Sequence, residues 1–228
     1  MSEIKQNELS IFKDDKIAIV FGAGCNMGKV TTQLLLIHKS YKKVIAITHI
    51  PLGFSHDQLD EIVVDFNIRD SWITSLVADD LFLFPQGIQF SDKNHEKIEK
   101  YQLAYDISLI CVKQGLNQIL VQSSEGADRD ALFNYFRHRG LLEKSLESIG
   151  SWALHIFRPG IVLEDPVKDM RGGEISSKIK QTLDRYTWNF LSRYTPIEAH
   201  HLASTMVKAA QGMKPGVFVY GAIDIQGK

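Results

Sequence analysis

Cysteine is scarce. The 228 residues hold two, Cys25 and Cys111, and they form no CxxC pair. A disulfide-stapled secreted scaffold is therefore excluded, and a reducing compartment fits. Charge of one sign is also missing: Lys plus Arg number 26 and Asp plus Glu 27, for a formal net charge of -1. That balance gives no electrostatic reason to expect nucleic acid or an anionic membrane surface as partner. No apolar run approaches the length that spans a bilayer, Leu34 to Ile37 being one helical turn. The segment 1–15 lacks the long apolar stretch of a signal peptide, so a cytoplasmic protein is the expectation. No repeat or low-complexity tract divides the chain. Among the eight histidines, His200 and His201 are adjacent and would face different ways on a helix, and no His-x-x-x-His pair occurs. No metal site is expected.

What is present is a rhythm of short apolar runs and longer helical patterns. Strands are expected at 17–21, 44–48, 61–65, 81–84, 118–122, 152–157 and 217–220. Helices are expected at 29–38, 99–114, 130–148 and 197–211. Runs that are apolar on both faces and alternate with helices indicate a parallel sheet covered on both sides. The expected fold class is thus a doubly wound α/β sheet of Rossmann type. The organisation read from it is an N-terminal arm at 1–15, a single domain at 16–228 and a small cap at about 164–193. Ligands in such sheets bind beyond the carboxyl ends of the strands, at the point where strand order reverses.

After the first strand comes Gly22-Ala-Gly24-Cys25-Asn26-Met27-Gly28, opening directly into a helix. Glycines here allow a tight turn, close backbone approach to a pyrophosphate and close packing of helix on strand. The helix N-terminus then offers N–H groups and a positive dipole end to phosphate. About twenty residues further on, where an acid would bind the ribose of NAD, stand Thr48 and His49. With no carboxylate to repel the extra phosphate, NADP is slightly favoured over NAD, and Lys29 or His49 is a candidate to meet it. Asp65, after the third strand, is a candidate adenine contact, with an ordinary strand-end turn as the other reading. Phe84-Pro85-Gln-Gly87 stands where the fold runs its backbone past a cofactor.

Three further motifs follow in order: Ser123-Ser124-Glu-Gly-Ala-Asp128, then Tyr135-Phe-Arg-His-Arg139-Gly, then Phe157-Arg-Pro159-Gly160. Together they resemble the atypical short-chain dehydrogenase/reductases, and within these the Tat-interacting-protein-like oxidoreductases. The resemblance runs from about Lys16 to Lys228. It implies an NAD(P)-binding site and a catalytic pair, Ser124 holding the substrate oxygen and Tyr135 exchanging the proton. The family's lysine, which holds the nicotinamide ribose, is replaced by Arg139. It also implies a small-molecule carbonyl/alcohol substrate. Tyr135 and Arg139 are four residues apart and share a helix face. Arginine keeps the charge but is planar and bulkier than lysine. An oxidoreductase-like protein is one reading, and a dinucleotide-binding sensor or interaction protein without turnover is the other. A protein partner or a homodimer is left open.

Overall fold

A computed structural model describes residues 14–68, 76–90, 96–163 and 196–227. Seven strands form one parallel sheet: β1 (Lys16–Phe21), β2 (Tyr41–Thr48), β3 (Leu59–Val63), β4 (Asp80–Leu83), β5 (Gln118–Gln122), β6 (Ala153–Phe157) and β9 (Gly216–Tyr220). Their spatial order is β3-β2-β1-β4-β5-β6-β9, so the direction of winding reverses between β1 and β4. This is the doubly wound Rossmann arrangement.

Side chains alternate across each strand with a period of two, and each set meets its own layer of helices. Ala18 and Val20 of β1 pack with α1 (Asn26–Leu36) and α4 (Ala199–Gln211). Ile19 and Phe21 pack on the opposite face with α2 (Glu96–Lys113) and α3 (Asn134–Ile149). A short helix α5 (Ala222–Gln226) follows β9. Sandwiched between helix layers, the strands read as continuous apolar runs.

The lower end of the sheet is closed by polar groups. Lys16, Tyr41, Asp80 and Gln118 are the first residues of β1, β2, β4 and β5, and all four are buried. Asp80 pairs with Lys16 and accepts hydrogen bonds from Tyr41 and from Gln118, the latter at 2.9 Å. Lys16 and Gln118 also donate to the Ala210 carbonyl at the end of α4, at 3.1 and 2.9 Å. A buried charge is tolerated when paired and hydrogen-bonded in this way.

Several boundaries differ from the sequence expectation. The first helix starts at Asn26 rather than Lys29, because Cys25 caps it: the Sγ accepts from Gly28 N at 3.4 Å and donates to the Gly22 carbonyl at 3.3 Å. The third strand lies at 59–63 rather than 61–65. The helix expected from Asp130 starts at Asn134. Asp128 explains the delay, since its Oδ1 accepts from Asp130 N at 2.8 Å, a local turn that competes with helix. A two-stranded parallel sheet of β7 (Ile161–Leu163) and β8 (Pro196–Glu198) was not anticipated. The cap expected at about 164–193 and residues 1–13 of the arm lie outside the described residues. No helix among the described residues is long and apolar enough to cross a membrane.

Candidate functional site

The loop from β1 into α1 crosses the carboxyl end of the sheet at the reversal of strand order. Gly22 has φ +81°, and a Cβ there would stand 2.2 Å from the Phe84 carbonyl oxygen. Opposite it, a Cβ on Gly87 would stand 1.9 Å from the Gly22 oxygen. The two glycines let the β1 loop and the 3-10 turn Pro85–Gly87 lie backbone against backbone. Gly24 makes room for the end of β2, since a Cβ would meet Thr48 Oγ1 at 2.7 Å and the His49 ring at 3.1 Å. At Gly28 a Cβ would meet the Ala23 Cα at 2.6 Å, so helix and loop touch there. Gly22 is thus a packing position as well as a loop position, and a bulky residue there would displace the loop itself.

Cys25, Met27, Ser123, Ser124, Tyr135, Arg139, Pro159 and Gly160, named above from sequence, all line one cleft of about 220 Å³. Met27 is buried in the first turn of α1, whereas Cys25, Asn26 and Lys29 are half-buried there. Ser123 and Ser124 follow β5 directly, and both hydroxyls are buried with no hydrogen-bond partner. Tyr135 and Arg139 share one face of α3: the Arg139 guanidinium lies 4.8 Å from the centre of the Tyr135 ring. Tyr135 is 53% exposed, at the rim, whereas Arg139 is 5% exposed. Arg139 Nη1 donates to the Gln122 carbonyl at 3.1 Å, and its Nε has no partner.

Other candidates are spent locally. The Thr48 hydroxyl donates to the Ile50 carbonyl at 2.7 Å and accepts from Ile50 N at 3.2 Å, closing its own turn. Asp65 lies two residues past β3, and its Oδ1 accepts from Asn67 N and Nδ2 at 2.9 and 2.6 Å. Its carboxylate thus holds a strand-end turn. His49 is half-buried against Phe66, with Nδ1 buried and unpartnered. Phe84 and Pro85 are buried, and the Phe84 carbonyl accepts from Gly87 N at 2.9 Å. They shape the wall through backbone.

The sequence reading missed four residues that line this cleft or support its walls. Gln86 donates through Nε2 to Gln122 Oε1, and both line the cleft. Tyr101 of α2 lies beside Arg139; burial holds its phenol above the usual range, with the Arg139 charge acting the other way. Arg158, within Phe157-Arg-Pro-Gly, makes a two-point pair with the buried Glu143 of α3, Nε to Oε1 being 3.1 Å. That pair ties the helix carrying Tyr135 and Arg139 to the end of β6, so Arg158 is a positioning residue. Its motif carried the signal, but its partner, fifteen residues upstream, did not.

Among the described residues no three His, Cys, Asp or Glu side chains gather as metal ligands would. No protein-family model matches the chain. It is similar to Protein HTATIP2 from Rattus norvegicus, with 25% identity over 165 residues that cover 70% of this chain and 68% of that protein. Among solved structures it resembles the PhqB reductase domain from Penicillium fellutanum at TM-score 0.61, with 12% identity, covering 92% of this chain and 68% of that one. It also resembles UDP-N-acetylglucosamine 4-epimerase from Bacillus cereus at TM-score 0.56, with 15% identity and coverage of 91% and 78%. These similarities agree with the strand order in giving a Rossmann-like fold, as in the reductase and epimerase structures.

Proposed function

We propose, from the homology to HTATIP2 and the fold, that this chain is an NAD(P)-dependent oxidoreductase acting on a carbonyl/alcohol pair. The observation that carries the reading is the cleft itself. Unpartnered Ser124, rim-placed Tyr135 and cationic Arg139 converge on the same space as the N-terminus of α1. The buried hydroxyls of Ser123 and Ser124 and the orphaned Arg139 Nε are groups that a polar ligand would complete, so the residues present fit a dinucleotide's reactive end. The Gly22–Gly28 loop and the start of α1 would hold the pyrophosphate. His49, at the end of β2, would face the adenine-side ribose, where the absence of an acid admits NADP at least as well as NAD.

When bound, the nicotinamide supplies or removes hydride. The chain's own residues do the rest. Ser124 Oγ donates to the substrate oxygen and fixes its position. Tyr135 Oη gives or takes the proton at that oxygen. The Arg139 guanidinium packs over the Tyr135 ring and orients the phenol toward the cleft.

The test is titration of folded protein with NADPH and NADH, followed by turnover on aldehydes, ketones and quinones. Tyr135→Phe should abolish turnover and leave dinucleotide binding within about twofold, because the hydroxyl acts in proton transfer. Turnover that survives Tyr135→Phe overturns the mechanism, and absence of binding to either dinucleotide overturns the reading. A second reading, a dinucleotide-binding sensor without turnover, draws on one observation: Arg139 Nη1 is engaged by the Gln122 carbonyl. It expects no wild-type turnover and none gained in Arg139→Lys.

A further inference from the structure

Arg139 is 5% exposed, yet no carboxylate among the described residues pairs with it. The contrast with the other cations of the interior is sharp. Lys16 is neutralised by Asp80. Glu143, one turn further along α3, is taken by Arg158 from both of its oxygens. Its contacts among the described residues are neutral: the Gln122 carbonyl at 3.1 Å, the face of Tyr135 and the phenol of Tyr101. A buried guanidinium without counter-charge is costly, and burial of this kind persists where an anion completes the site.

The donors beside it have the same need. Ser123 is 3% exposed and Ser124 6%, and neither hydroxyl has a partner, nor does Arg139 Nε. All three residues line the same cleft. One cation and two hydroxyl-bearing residues line the cleft with no acid among them, a set that a carboxylate with a neighbouring oxygen satisfies and a neutral alcohol leaves half-paired. The planar fork of arginine matches the two oxygens of a carboxylate.

We propose that this cleft is an oxyanion site and that the substrates are short 2-oxo or 2-hydroxy carboxylates, the carboxylate pairing with Arg139. The choice of substrate rests on the oxidoreductase reading, whereas the anion site stands without it. With the carboxylate on Arg139, the adjacent carbonyl oxygen falls to Ser124 and Tyr135. Reduction then takes one hydride from the reduced dinucleotide onto carbon and one proton from Tyr135 onto oxygen. The products are the 2-hydroxy acid and the oxidised dinucleotide.

The experiment is calorimetric titration of the full chain with oxamate, an unreactive 2-oxo carboxylate mimic, in low-chloride buffer with and without NADPH. Pyruvamide serves as the neutral control and inorganic pyrophosphate as the cofactor mimic, and NADPH binding is followed separately by fluorescence. Oxamate should bind, pyruvamide at least tenfold more weakly, and Arg139→Gln should lower oxamate affinity at least tenfold. Ser123→Ala should weaken it severalfold, which keeps the test intact if Arg139→Gln does not fold. No oxamate binding under either condition, with NADPH binding intact, overturns the anion site and leaves the oxidoreductase reading standing. Oxamate binding without any NADPH binding supports the anion site and sinks that reading. Pyrophosphate that binds in an Arg139-dependent manner and displaces oxamate assigns the site to the cofactor and overturns the carboxylate substrate.

Discussion

His155 lies in the middle of β6, 3% exposed, and its charge state should govern stability below neutral pH. Its Nδ1 meets the Tyr220 hydroxyl at 3.0 Å, whereas Nε2 is buried without a partner. The ring stacks on Phe218 at 5.0 Å. Burial, with the Lys16 charge adding to it, pushes the imidazole down from 6.5 to about 4. The folded chain therefore stays unprotonated at this position until about pH 4, while the unfolded chain takes its proton near 6.5. Stability from the neutral ring is fully present above pH 6.5 and is lost as pH falls toward 4. At about 1.4 kcal/mol per pKa unit, the loss amounts to about 2 kcal/mol by pH 5 and about 3 kcal/mol by pH 4. Urea denaturation of wild type and His155→Phe from pH 8 to 4.5 reads this directly. The variant keeps the stacking shape, loses the Tyr220 hydrogen bond and cannot titrate here. Its stability relative to wild type should improve by about 2 kcal/mol between pH 7.5 and pH 5. Parallel curves for the two proteins would refute the argument, because the remaining histidines act equally in both.

Gly87→Ala should destabilise the chain by more than about 2 kcal/mol, since the new methyl would collide with the Gly22 backbone rather than with a movable side chain. Thermal melts check the stability, and dinucleotide titration of the surviving folded protein should show weakened binding because the loop has shifted. Lys16→Met should cost about 3 to 5 kcal/mol in denaturant by stranding the Asp80 carboxylate, and adding Asp80→Leu should return a large part of it. A double variant as unstable as Lys16→Met alone would show that the lower polar cluster acts through its hydrogen bonds to α4 instead.

The sheet was legible in the sequence because each strand carries its own signal. Runs such as Ile17–Phe21 and Gln118–Gln122 are apolar on both faces, and only a strand buried between two helix layers needs that. The glycine loop was legible for a similar reason, since a strand, a glycine cluster and a helix stand next to one another in the chain. Ser124 and Tyr135 were candidates from motif order, and both line one cleft. These are local properties, set by neighbours a few residues away.

Tertiary structure decided what each site residue has left to offer. Thr48 and Asp65 stand at the expected strand ends, but their side chains close turns with Ile50 and Asn67. Cys25 became a helix cap, and Gly22 is held by Gly87, sixty-five residues away. Arg139 reads in sequence as a substituted lysine. Only the fold shows that Glu143 is already committed to Arg158 and that the arginine is left buried with unpartnered serines. Periodicity fixes where a side chain points, because it depends on backbone geometry alone. Whether that side chain arrives paired or unpaired depends on which distant segments fold against it, and no single stretch of sequence contains that information.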